Sequence, residues 1–86
     1  MKKKIDPTKY GLGSRVVLEQ IEDNHIAIVK RIKSRIIMKD GRKILEQAQQ
    51  IKSIDQNTKI SLAISGPICR KTVAFLLENG IEVFSI

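Results

Sequence analysis

Tryptophan is absent from this 86-residue chain, and Tyr10, Phe75 and Phe84 are its only aromatic side chains. Any core must therefore be aliphatic, built from Ile, Leu, Val and Ala, and flat rings for stacking on bases are scarce. One cysteine, Cys69, rules out a disulfide within the chain, and a lone thiol fits a reducing compartment. One histidine, His25, far from Cys69 in sequence, makes no metal site. No apolar run approaches the roughly 20 residues of a membrane helix. The basic opening Met1-Lys2-Lys3-Lys4-Ile5-Asp6-Pro7 is not followed by the apolar stretch of a secretory signal. These absences lead to the expectation of a soluble cytoplasmic domain with no membrane partner and no cofactor.

What is present is charge, unevenly placed. The net charge is +7. Residues 1–43 hold twelve Lys and Arg against Asp6, Glu19, Glu22, Asp23 and Asp40, and so carry the whole excess. Residues 44–86 balance Lys52, Lys59, Arg70 and Lys71 against Glu46, Asp55, Glu78 and Glu82. Such asymmetry points to a polyanionic partner more strongly than a high isoelectric point alone. The length allows one domain, near the lower limit of what folds without a metal or disulfide. A core that small also favours a homodimer, since pairing removes more apolar surface from water.

Along the chain, residues 1–14 lack apolar periodicity and carry turn formers, and are read as a flexible basic segment before a domain over 15–86. Arg15 to Ile21 and Ile26 to Ile32 are rich in β-branched residues and flank the polar turn Glu22-Asp23-Asn24-His25, which predicts an antiparallel hairpin. Ile26, Ile28 and Ile32 share one face with Lys30 among them, while Ala27 and Val29 face the other way, so the hairpin should be covered on both sides, at least near its turn. Lys33 to Lys39 carries no clear period. Asp40 then suits an N-cap for a helix to about Ser53, with Ile44, Leu45, Ala48 and Ile51 as its apolar stripe.

Ile60 to Ile64 reads as a third strand, after which Ser65 or Gly66 caps a helix with Pro67 at its first position. Ile68, Val73, Ala74, Phe75, Leu76 and Leu77 are its expected buried side. Asn79-Gly80 ends it, and Ile81 to Ile86 is the last strand. Strand, helix and strand at this spacing make a parallel βαβ unit. The expected fold is α/β in the order ββαβαβ, with a mixed sheet, an N-terminal hairpin and a C-terminal βαβ unit.

Two groups of residues could carry chemistry. Lys30, Arg31, Lys33, Arg35, Lys39, Arg42 and Lys43, opposed only by Asp40, leave the second strand and enter the first helix, so they lie close in space and suit a phosphate backbone. The turn Ser65-Gly66 with Arg70 and Lys71 joins a strand's carboxyl end to a helix start, where free N–H groups and the dipole attract an anion. Cys69 in that turn could be a nucleophile or a small buried hydrophobe. Glu19, Glu22 and Asp23 could hold a divalent ion but fit a solvated turn better.

From Ile26 onward the chain resembles the C-terminal core of Mrr-like restriction endonuclease domains, of the PD-(D/E)XK superfamily. The resemblance rests on the hairpin ending Lys30-Arg31, the strand Ile60 to Ile64 with its small turn Ser65-Gly66, and the helix running into Gly80-Ile81. It implies a nuclease-like fold in which Ile28-Val29-Lys30 occupies the catalytic triplet. The carboxylate position then carries Ile28, the upstream acidic position falls near Arg15, and only Lys30 remains. Phosphodiester cleavage of that kind needs carboxylates to hold the metal that activates water. The resemblance thus implies a trimmed relative with no catalytic residues and no metal, although Glu19 and Lys30 are the pair to watch for residual activity.

The expectation is a non-catalytic nucleic-acid-binding domain, DNA before RNA, contacting mainly phosphate. The alternative is a homodimeric protein-interaction module that binds no nucleic acid.

Overall fold

The computed structural model describes residues 3–86, which form a five-stranded mixed sheet with two helices. Strands β1 (Lys3–Ile5), β2 (Val17–Glu22), β3 (His25–Lys30), β4 (Lys59–Ile64) and β5 (Glu82–Ser85) lie side by side in chain order. Helix α1 (Met38–Ile54) joins β3 to β4, and α2 (Arg70–Glu78) joins β4 to β5. Both junctions link parallel neighbours, while β1–β2 and β2–β3 are antiparallel. The expected α/β class, hairpin and parallel βαβ unit are all present.

Successive parallel strands added in one direction put both crossover helices on the same face. Accordingly α1 packs on α2, and Ile44, Ala48 and Ile51 join Ile26, Ile28, Ile60, Leu62, Leu76 and Ile81 in one aliphatic core. The opposite face corrects the expectation that the hairpin is covered twice. No second layer lies over it among the described residues. Its centre is small instead, with Ala27, Val29 and Ala63 shielded by Ile21 and Phe84 along the sheet. Short side chains packed between longer neighbours lose contact with water without a covering element.

Residues 3–14 are not a featureless lead. Lys3–Ile5 pairs with Gln20, Glu19 and Leu18 as an edge strand. Asp6 then caps a 3-10 turn over Pro7–Tyr10, where Pro sits at a first position that needs no N–H. Tyr10 drops into the core at 5% exposure. Residues 3–14 therefore belong to the folded unit, which does not wait for Arg15 to begin.

The helix starts also differ from expectation. Ile37, not Asp40, is the N-cap of α1; the Asp40 carboxylate sits one turn in and accepts the Ile37 N–H at 3.0 Å. Isoleucine offers no oxygen for the return bond of a capping box, so only half of that motif forms. Helix α2 begins at Arg70 with Cys69 as N-cap, so neither Ser65, Gly66 nor Pro67 caps it. Residues 65–69 stay outside the helix, with a bend at Ser65-Gly66, because the loop after β3 claims their backbone. Ser65 N–H donates to Lys30 O at 3.2 Å, Ile36 N–H to Pro67 O at 3.0 Å and Cys69 N–H to Ile36 O at 2.9 Å. Of the apolar side chains expected inside on α2, only Leu76 is fully buried, and Leu77 is 60% exposed. The helix ends as expected, at Asn79 with Gly80 at φ 79°.

Candidate functional site

Every strand-to-helix connection of the parallel part leaves from the carboxyl edge of the sheet, and the cations collect there. Lys30 ends β3, Arg31, Lys33 and Arg35 follow in the loop, and Lys39, Arg42 and Lys43 stand in the first two turns of α1. The segment after β4 runs beside that loop, joined to it by the three backbone bonds just described, and brings Arg70 and Lys71 to the same edge. Thus the cationic cluster and the Ser65-Gly66 turn, separate in the sequence, form one surface.

A further cation comes from the hairpin. Antiparallel pairing of Val17 with Val29 sets Arg15 beside the end of β3, and Arg15 shares a cavity of about 300 Å³ with Val17, Val29, Lys30, Arg31 and Ile32. Across Lys30 and Ile32, on the α1 side, lies a smaller cavity of about 110 Å³. Ile36 and Ile44 join Ile32 in lining it, together with Lys43, Asp40 and Gln47. Lys30 and Ile32 are thus the partition between two recesses. Lys30 is half-buried there, directly after the four buried apolar residues Ile26, Ala27, Ile28 and Val29.

Opposing charge is sparse. Asp40 is the only carboxylate in segments 14–16, 30–43 and 65–71, which hold ten Lys and Arg. Arg31 leans toward Glu19 at 3.4 Å, a long contact in which Arg31 stays 57% exposed and free to exchange partners. On the opposite edge stand Glu22, Asp23, Asp55 and Glu82, the last bridged to Lys59 at 3.1 Å.

The helix start that the anion-site reading placed at Ser65 or Gly66 lies three or four residues further along, at Cys69. The backbone N–H of Lys71, and after it that of Thr72, which also donates to Cys69 O at 3.0 Å, favours the charged form of the Cys69 thiol and lowers its pKa. Gly66 has a different role. A Cβ on it would enter the van der Waals shell of the Ile32 carbonyl oxygen, so only glycine lets the two loops close up.

His25 is not in the turn but on β3, where its Nε2 lies 2.6 Å from Ser61 Oγ on the helix-free face. Ser61 is buried, so the pair knits two strands together. In Ile28-Val29-Lys30, Ile28 is wholly buried in the core and offers no donor atom. Among the described residues no group of three His, Cys, Asp or Glu converges, and no helix is long and apolar enough to cross a membrane.

Sequence reasoning missed Arg15 and Gln47. The first needs the hairpin register, but the second was accessible: Asp40, Lys43, Ile44 and Gln47 follow helical spacing and so share a face. Comparison with protein-family models, curated proteins and solved structures finds no match to this chain.

Proposed function

We propose that this domain binds nucleic acid through the cationic carboxyl edge of its sheet and does not cut it. The observation that carries this reading is the ten Lys and Arg against one carboxylate on the segments that build that edge. Their placement works against the fold that bears them. Arg70 and Lys71 stand at the positive end of α2, whose first turn has no acidic residue and whose last has no basic one. Each charge set against a helix dipole forfeits about 0.3–1 kcal/mol. A polyanion reverses that balance, because phosphates are attracted by the side chains and the helix ends alike.

Contacts of this kind are mainly to phosphate and carry little sequence information. DNA is the expected partner. Cleavage is left out of the proposal because the side chain two residues before Lys30 is aliphatic and buried.

Fluorescence anisotropy at two salt concentrations tests the reading. Arg31, Lys33 and Arg35 are exposed, so reversing all three to Glu leaves the core intact. Losing three phosphate contacts lowers the log–log salt slope by about 2 to 3 and weakens binding at least tenfold. Lys52→Glu, near the far end of α1, changes affinity little. Unaltered affinity in the triple variant would dispose of the proposal. A dimer by sedimentation with no salt-sensitive affinity would move the reading to the helix-free face of the sheet.

A further inference from the structure

The two outer strands of the sheet are finished differently. β1 presents Lys3 and Lys4, both exposed, and lysines on an edge strand discourage pairing with another chain. β5, Glu82-Val83-Phe84-Ser85, has no lysine, arginine or proline, and among the described residues it is paired on one side only. Its single charge, Glu82, is bridged to Lys59 at 3.1 Å.

Hydrogen bonding fixes which groups of β5 are open. Ile86 N–H donates to Ile64 O at 2.8 Å, and the direction of the backbone groups alternates along a strand. Glu82 and Phe84 therefore face β4 as Ile86 does, whereas Val83 and Ser85 turn their N–H and C=O groups to the open side. That edge is complementary to itself. With Phe84 of one chain opposite Phe84 of an antiparallel copy, Val83 stands opposite Ser85 twice, and the two pairs exchange four hydrogen bonds. Glu82 then meets Ile86, so no like charges oppose one another.

The helix layer fits the same two-fold axis. Gly41 of α1 lies against Thr72 and Phe75, so that flank of α2 faces α1. At about 100° per residue, Val73 and Leu77 fall on the other flank, over β5, where Leu77 is 60% exposed. A two-fold axis perpendicular to a joined sheet keeps both helix layers on one face. As the crossover from β4 to β5, α2 would stand two strand spacings from its copy, about 10 Å, which is a packing distance for helices. The two helices run antiparallel, so the Arg70 end of one lies beside the Glu78 end of the other.

We propose that β5 is the seat of a two-fold dimer of this chain, in which two sheets join into one of ten strands about Phe84 and the α2 helices pack through Val73 and Leu77. A four-residue strand alone falls short of the roughly 1,200 Å² of a specific interface, and the helix pair supplies the rest. Charge favours this flank as well. Residues 72–86 contain no Lys or Arg, so two chains of net charge +7 meet where each is least cationic. Their cationic edges point to opposite ends of the joined sheet.

The pairing needs no nucleic acid, and sedimentation equilibrium of the protein alone tests it. The expected result is a monomer–dimer equilibrium in the micromolar range. Ser85→Pro deletes an N–H with no partner inside the protomer, at an edge position that admits proline. It removes two of the four bonds and raises the dissociation constant at least tenfold. Leu77→Ala raises it as much, while its protomers, unfolded at concentrations too low for pairing, match the parent. Glu82→Cys with Ile86→Cys, in a Cys69→Ser background, reads the register. Within one chain these positions are about 13 Å apart, beyond the reach of a disulfide, so oxidation bridges only between protomers and gives a covalent dimer. A monomer throughout the micromolar range, a dimer that both Ser85→Pro and Leu77→Ala leave intact, or no covalent dimer on oxidation would each overturn the proposal. None of these results bears on the cationic edge.

Discussion

Substituting Gly66 by alanine tests the junction on which both recesses depend. Nothing in the backbone conformation forbids the change, since Gly66 has no positive φ. The obstacle is the Ile32 carbonyl oxygen, which occupies the space a Cβ needs. Carbon–oxygen contacts in proteins run to about 3.3 Å or more, so the two loops must part by roughly 1 Å. Ser65 N–H to Lys30 O, at 3.2 Å, and Ile36 N–H to Pro67 O, at 3.0 Å, then both pass out of bonding range. Each such bond contributes about 1 kcal/mol net, giving a loss of about 2 kcal/mol. For a domain of this size that is on the order of 10 °C in the unfolding midpoint. Thermal unfolding followed by circular dichroism measures it. Gly13→Ala is the control, because a Cβ there meets nothing within 4 Å, and it stays within about 0.5 kcal/mol of the parent. A Gly66→Ala protein that melts with its parent would refute the close approach of the loops, and with it the shared wall at Lys30 and Ile32.

Leu76→Ala empties a fully buried position where α2 meets the sheet; urea unfolding should show a loss of about 2–5 kcal/mol, whereas Leu77→Ala, on the exposed side, changes stability by less than about 0.5 kcal/mol. The backbone N–H groups of Lys71, then Thr72, favour the charged form of the Cys69 thiol and lower its pKa. Alkylation by iodoacetamide is therefore full above that depressed value and falls as the pH drops through it, at a lower pH in the folded protein than in urea. Identical native and denatured profiles would contradict Cys69 as the cap of α2.

Long periodic elements were legible in the sequence and short ones were not. Ile44, Ala48 and Ile51 repeat at helical spacing over several turns, and all three are buried. The hairpin and β4 announce themselves through β-branched runs. By contrast β1 has three residues, and only Ile5 contacts the core. Three residues cannot display a period, and the strand exists because β2 offers an open edge. Ile32 looked like the last residue of β3, yet it is 39% exposed in the loop. The bridge between Ile36 and Ile68 takes over that pairing. The delayed start of α2 has the same origin: Pro67 suits a first helical turn locally, but its carbonyl is claimed by Ile36. The cations of the site were readable one by one as a charge run. Their joining with Arg15, Arg70 and Lys71 was not, because it depends on register and on which edge the connections share.

That shared edge follows from connectivity. Two successive crossovers of one hand place the starts of α1 and α2 at the same end of the sheet, so the positive ends of both helix dipoles point where the cations already gather. An ordinary domain would set carboxylates there to relieve the potential. This one supplies Asp40 alone, and spends it on the Ile37 N–H at the start of α1. The potential is thus built twice over, by side chains and by backbone, with only Glu19 beside Arg31 to offset it further, while the far edge bears Glu22, Asp23, Asp55 and Glu82 with Lys59 among them. A solubilising surface needs net charge but no such segregation, and mixed signs would serve it at less strain. Segregation against the helix dipoles has a physical advantage only when a polyanion arrives to occupy the edge, which is why the arrangement argues for a partner more strongly than the charge itself.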